Sequence, residues 1–173
     1  MTTSDIAALV RERLAEAIPS PSPRKEIIRE LPEPARFNLV HIITGMRRCG
    51  KTFYLFQLMQ SLLAKGVDRQ HMFYFVFSDE RLKPLDRGIM QTVVEEYWRQ
   101  VPDARECGCY LFLDEVQEMP EWEHVINSLM VDFDVDIYAT GSNSRLLASE
   151  ISTYLTGRYV SIPVYPLSFE EFL

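Results

Sequence analysis

A three-layer α/β/α fold around a five-stranded parallel sheet is predicted for this 173-residue chain by three observations. The run Gly45-Met46-Arg47-Arg48-Cys49-Gly50-Lys51-Thr52 spells G-x-x-x-x-G-K-T, a phosphate-binding loop. It stands between the apolar, β-branched run Leu39–Thr44 and a stretch of apolar residues at helical spacing. Four more apolar segments of strand length follow, separated by intervals that leave room for helices. Repeated strand–helix–strand units need crossovers, and crossovers cover both faces of a parallel sheet.

Taken in order, Ile6, Leu9, Val10, Leu14 and Ile18 recur at helical spacing, so 4–18 reads as an amphipathic helix with a charged outer face. It packs on its own domain or on a partner, and its own domain is the simpler arrangement. Pro19-Ser20-Pro21-Ser22-Pro23 breaks it as a short, stiff linker. After the first strand and the loop, Phe53, Leu55, Phe56, Leu58, Met59, Leu62 and Leu63 mark a helix that Gly66 stops. His71–Phe77 is a second strand, followed by the polar Ser78-Asp79-Glu80-Arg81. A helix over about 86–100 carries Ile89, Met90, Val93, Val94, Tyr97 and Trp98. Cys109–Leu113, Val135–Ala139 and Tyr159–Tyr165 supply the third, fourth and fifth strands.

At the C-terminus Ser168-Phe169-Glu170-Glu171 is a capping box, a helix start with about one turn of chain behind it. One turn does not sustain a helix. The chain is therefore expected to be the N-terminal fragment of a longer protein. Residues 1–23 form its leading helix and linker and 24–173 the nucleotide-binding core, with a lid and C-terminal domain lying beyond.

Composition narrows the classes. A content of 47% hydrophobic and 12% aromatic residues fits a globular domain. Net charge is −7, against a protein that coats nucleic acid or anionic membrane by bulk charge, although a local basic patch leaves DNA binding open. No apolar run approaches the roughly 18 residues of a membrane span. Asp5, Arg11, Glu12 and Arg13 leave no apolar signal core, so cytoplasmic residence without a membrane partner is expected. Three cysteines do not make a disulfide framework. Cys107-Gly108-Cys109 has none of His41, His71 or His124 close by to complete a zinc site, and reads as reduced thiols at a strand start.

The loop's chemistry follows from its spelling. Gly45 and Gly50 let the backbone curl so that successive N–H groups point at phosphate oxygens. Met46, Arg47, Arg48 and Cys49 fill the loop, and Phe53 follows it, so 45–53 is the expected nucleotide contact. Lys51 reaches the β- and γ-phosphates, the Thr52 hydroxyl coordinates Mg²⁺, and the helix dipole favours the same anion. Alkylation of Cys49, inside the loop, is expected to block nucleotide binding.

The apolar Tyr110–Leu113 ends in Asp114-Glu115. Asp114 is placed to hold Mg²⁺ opposite Thr52, and Glu115 to align and deprotonate water as general base. A base beside the metal acid marks the additional-strand class of P-loop ATPases, with the third strand expected between the loop strand and its neighbour. Ser142 or Asn143, after the fourth strand, reaches the γ-phosphate as a sensor, or belongs to an ordinary Gly-Ser-Asn turn. Arg158 projects toward a neighbouring subunit's nucleotide in a homo-oligomer, or makes a structural salt bridge. The guanine-reading Asn-Lys-x-Asp pattern is absent from the chain, so ATP is expected rather than GTP.

With these pieces placed, the chain resembles a group of bacterial and archaeal AAA+-type ATPases. The matching residues are Thr44–Thr52, Tyr74–Leu82, Leu113-Asp114-Glu115-Val116-Gln117, Thr140–Ser144, Gly157-Arg158 and Tyr165–Phe172. The likeness runs from about residue 24 to the C-terminus. It implies an ATP-binding domain followed by a helical region and a C-terminal domain likened to restriction-endonuclease folds. By that resemblance Lys51, Thr52, Asp114 and Glu115 inherit the roles argued above, and Ser142 or Asn143 the sensor role. The expected function is Mg²⁺-dependent ATP hydrolysis that moves attached domains. A nucleotide-gated interaction switch with slow hydrolysis is the alternative, and a small-molecule kinase a third reading.

Overall fold

Val40–Thr44 (β1), Met72–Val76 (β2), Cys109–Asp114 (β3), Val135–Gly141 (β4) and Tyr159–Pro163 (β5) form one sheet in the order β2-β3-β4-β1-β5. Every pairing is parallel. This is a computed structural model, and it describes residues 2–21, 39–141 and 158–168. The helices are Thr3–Ala15 (α1), Lys51–Ala64 (α2), Gly88–Gln100 (α3), Pro102–Glu106 (α4) and Trp122–Asp132 (α5). All five expected strands form. The third strand, however, does not lie beside the loop strand: β3 sits between β2 and β4, and β4 is the strand inserted next to β1. The crossover through α5 sets β4 down against β3, and β4's other edge then receives β1.

Two helices fall outside the expected elements. α4 starts on Pro102, a residue suited to the first helical position, and spans five residues. α5 buries Trp122, Ile126, Leu129 and Met130.

α1 begins in a capping box: the Thr2 hydroxyl accepts from the Asp5 amide at 3.3 Å, and the Asp5 carboxylate accepts from the Thr2 amide at 2.8 Å. Its buried Ile6, Leu9 and Val10 join the cluster that α3, α5 and one face of the sheet share. α1 therefore packs on its own domain. It stops at Ala15 rather than at 18, because Glu16 turns extended ahead of Pro19. The following segment is tied to α2 by Gln60, whose side-chain amide donates to the Ile18 and Pro19 carbonyls at 3.1 and 3.2 Å.

The opposite face of the sheet packs under α2. Here a cross-strand row runs from His41 through Tyr138 to Phe112, with stacked rings 4.5 and 5.0 Å apart. Burial holds the His41 imidazole down to about 4. The unfolded chain binds this proton more tightly than the fold does. Its stabilisation is whole above pH about 6.5 and falls by about 3 kcal/mol as pH drops toward 4. Asp136 opposes it: burial, then the Asp134 charge, raise its carboxyl to about 6, so its stabilisation is lost as pH rises through that value. Asp136→Asn should therefore unmask the imidazole. Its stability in urea should climb more steeply between pH 4 and 6.5 than the wild type's, and equal climbs would contradict this balance.

Candidate nucleotide and metal site

The loop leaves β1 at the carboxyl end of the sheet and turns directly into α2. Its backbone takes positive φ at Gly45 (156°), Arg48 (65°) and Gly50 (96°). At Gly45 a Cβ would fall 2.3 Å from the Val164 carbonyl oxygen and 2.7 Å from the Cys49 sulfur, so no side chain fits. The close approach arises because the chain leaving β5 runs alongside, where the Val164 amide donates to the Thr44 carbonyl at 2.7 Å. Gly50 is the N-cap of α2 in the left-handed region and caps it with no side chain. The first amides of α2 are thus left for an anion.

Lys51 is 5% exposed and folds back, donating to the Gly45 and Met46 carbonyls at 3.2 and 3.0 Å. Met46, Arg47, Arg48 and Phe53 are exposed at the rim. Cys49 is 4% exposed, packed within the α2 core cluster rather than open to solvent. Its alkylation therefore has to await loop opening. Iodoacetamide should modify exposed Cys107 well before Cys49, as read by peptide mass spectrometry, and chains carrying modified Cys49 should no longer bind ATP. Normal ATP binding by such chains would contradict this placement.

β3 delivers Asp114 to the same place. Its carboxylate is 2% exposed and is met by three hydroxyls. Oδ2 accepts from Thr52 at 2.8 Å and from Tyr74 at 3.0 Å, while Oδ1 accepts from Thr140. A buried carboxylate without such donors would be costly. Burial first, then the Asp114 charge, push the Tyr74 phenol well above its ordinary range, so it serves as a donor. The Thr140 oxygen also accepts from the Glu115 amide at 3.0 Å. Glu115 sits in the left-handed region at φ 55°, and its carboxylate accepts from the Gln117 side-chain amide.

Thr52 and Asp114, predicted as the metal-side pair, are thus brought into contact, with the loop and Glu115 beside them. Among the described residues no cluster of three or more His, Cys, Asp or Glu forms. One carboxylate plus a hydroxyl suits Mg²⁺, which is usually held by one or two carboxylates together with substrate phosphates. Ser142 and Asn143 lie outside the described residues. Arg158 is exposed at the start of β5, where its carbonyl accepts from the Val40 amide at 2.9 Å. That is the opposite end of β1 from the loop, roughly 13 Å away at about 3.3 Å per residue. Arg158 does not belong to its own chain's site.

Tyr74, Thr140 and Gln117 were not among the residues read from the sequence as site residues. Nothing local singles out Thr140, since β4 also carries the polar Asp136 and ends on Gly141.

Residues 38–173 match the family model described as an AAA domain. A protein of Haemophilus influenzae described as uncharacterized is 36% identical over 151 residues, which cover 87% of this chain and 37% of that protein. One of Methanocaldococcus jannaschii, described likewise, is 32% identical over 136 residues, 79% of this chain and 28% of that protein. The chain spans well under half the length of either relative. The structure of C. elegans PCH-2 aligns with a TM-score of 0.50 and 17% identity, over 96% of this chain and 42% of that one, and shares the fold. With the loop, the acid pair and the five-stranded parallel sheet in place, the chain belongs to the AAA-type ATPase family through an AAA domain over residues 38–173.

Proposed function

We propose that the chain binds ATP along 45–53 and hydrolyses it with Mg²⁺, and that turnover moves further domains of a longer protein. The observation that carries this reading is the Thr52–Asp114 contact of 2.8 Å at the start of α2. The hydroxyl donates its proton to the carboxylate and keeps its lone pairs for a metal. When bound, Mg²⁺ supplies charge neutralisation for the β- and γ-phosphate oxygens. The loop amides and the N-terminus of α2 hold the phosphates. Lys51 exchanges the Gly45 and Met46 carbonyls for phosphate oxygens, keeping its ammonium hydrogen-bonded throughout. Glu115 aligns water and takes its proton on the carboxylate. Ser142 or Asn143 reads the γ-phosphate, and Arg158 of a neighbouring copy stabilises the transferring phosphoryl group.

One observation favours a second reading, a nucleotide-gated interaction switch with slow hydrolysis. The Gln117 side-chain amide donates to one oxygen of the Glu115 carboxylate in the resting arrangement, a contact that competes with water for that oxygen. Calorimetric titration with ATP and with GTP, with and without Mg²⁺, tests the shared part of both readings. ATP-selective binding strengthened by Mg²⁺ supports them, and its absence from this chain and from a longer one would refute them. Phosphate released only with an added acceptor would indicate a kinase. Among the described residues no helix is long and apolar enough to cross a membrane.

A further inference from the structure

We infer that the Tyr74 hydroxyl is a positioning group for Asp114, fixing the carboxylate that faces the metal side of the site; this rests on the reading above. Tyr74 lies in β2 opposite Phe112, which is two residues before Asp114 in β3 and so on the same face of the sheet. Its ring packs against Phe56 of α2 at 5.0 Å, which directs the hydroxyl across β3 toward the first turn of α2. There it donates to Asp114 Oδ2 at 3.0 Å, the oxygen that also accepts from Thr52 at 2.8 Å.

The three hydroxyls on this carboxylate come from three elements: Thr52 from α2, Tyr74 from β2 and Thr140 from β4. Thr52 is also the residue assigned to the metal, and the Thr140 oxygen is shared with the Glu115 amide. Tyr74 comes from the edge strand β2 and is, among the described residues, that strand's contact with the carboxylate. Its hydroxyl anchors Oδ2 independently of whatever Thr52 does when the metal arrives. Without it, the carboxylate plane is held on Oδ2 by Thr52 alone and can turn. Outer partners of this kind alter metal affinity by about 10- to 100-fold.

Tyr74→Phe keeps the ring on Phe56 and removes only the hydroxyl. ATP binding is measured by calorimetry across a Mg²⁺ titration, with the Mg²⁺-free affinity as the internal reference. The Mg²⁺ concentration at half effect should rise about tenfold, while Mg²⁺-free ATP affinity stays within about twofold. Tyr74→Leu, which also removes the ring, should lose thermal stability that Tyr74→Phe retains. An unchanged Mg²⁺ half-effect in Tyr74→Phe would overturn the inference. So would an equal fall in affinity with and without Mg²⁺, which marks a merely structural role. A wild-type chain that binds ATP with no response to Mg²⁺ would instead overturn the proposed function, and the inference with it.

Discussion

Lys51→Ala is expected to weaken ATP binding by about 3 kcal/mol, roughly a hundredfold, with little loss of fold stability. The effect is large because the ammonium is the one strong positive charge that the motif aims at the β- and γ-phosphates. The loop amides that remain are dipoles and share the rest of the load. The structure also predicts what the variant leaves behind. Among the described residues Lys51 Nζ holds the Gly45 and Met46 carbonyls, both in the loop itself, so its loss releases two backbone acceptors close to the rim. Their cost is about 1 kcal/mol, since the loop can admit water. Arg47 and Arg48, exposed on the same loop, keep some attraction for the anion and set a floor under the loss. Calorimetry with ATP and a thermal melt separate the two terms. Unchanged affinity would remove the site assignment. A collapse of the melting temperature would mean that the tether to the two carbonyls shapes the loop rather than serving the ligand.

The parts of this site that were legible in the sequence are those set by local chemistry. A G-x-x-x-x-G-K-T run after an apolar strand specifies a backbone shape, and the positive φ of Gly45 and Gly50 agrees with it. Asp114-Glu115 was legible because a buried strand that ends in two acids needs a reason to do so. Thr140 and Tyr74 were not, because their contacts depend on strand order. Only the insertion of β4 between β1 and β3 puts Thr140 beside Asp114, and only the register of β2 on β3 brings Tyr74 over it. Long-range pairing leaves no trace in local periodicity. α5 is a different kind of omission. Trp122, Ile126, Leu129 and Met130 do follow helical spacing, but the helix starts behind Glu121, in the left-handed region at φ 56°, with no side-chain cap. α4, at five residues, is too short for periodicity to speak.

Glu115→Gln is expected to lower ATP turnover by about 10²- to 10⁴-fold while ATP affinity stays within a few fold. The substitution is isosteric, and the group that places residue 115 is not its own side chain. Its amide is held by the Thr140 oxygen at 3.0 Å, and that hydroxyl is fixed in turn on Asp114. The left-handed backbone is therefore retained in the variant, and the metal-side carboxylate is untouched. What disappears is the ability to accept a proton from water, which an amide lacks at any accessible pH. The wild-type rate then decides between the two readings. Rapid hydrolysis that depends on Glu115 would show that the Gln117 contact on one carboxylate oxygen does not hold the base back, and Gln117→Ala should then turn over at about the wild-type rate. Slow hydrolysis that Gln117→Ala accelerates, and Glu115→Gln abolishes, would make the Gln117 contact a brake and the chain a switch. Turnover indifferent to Glu115 would leave the site without its base and refute the ATPase reading.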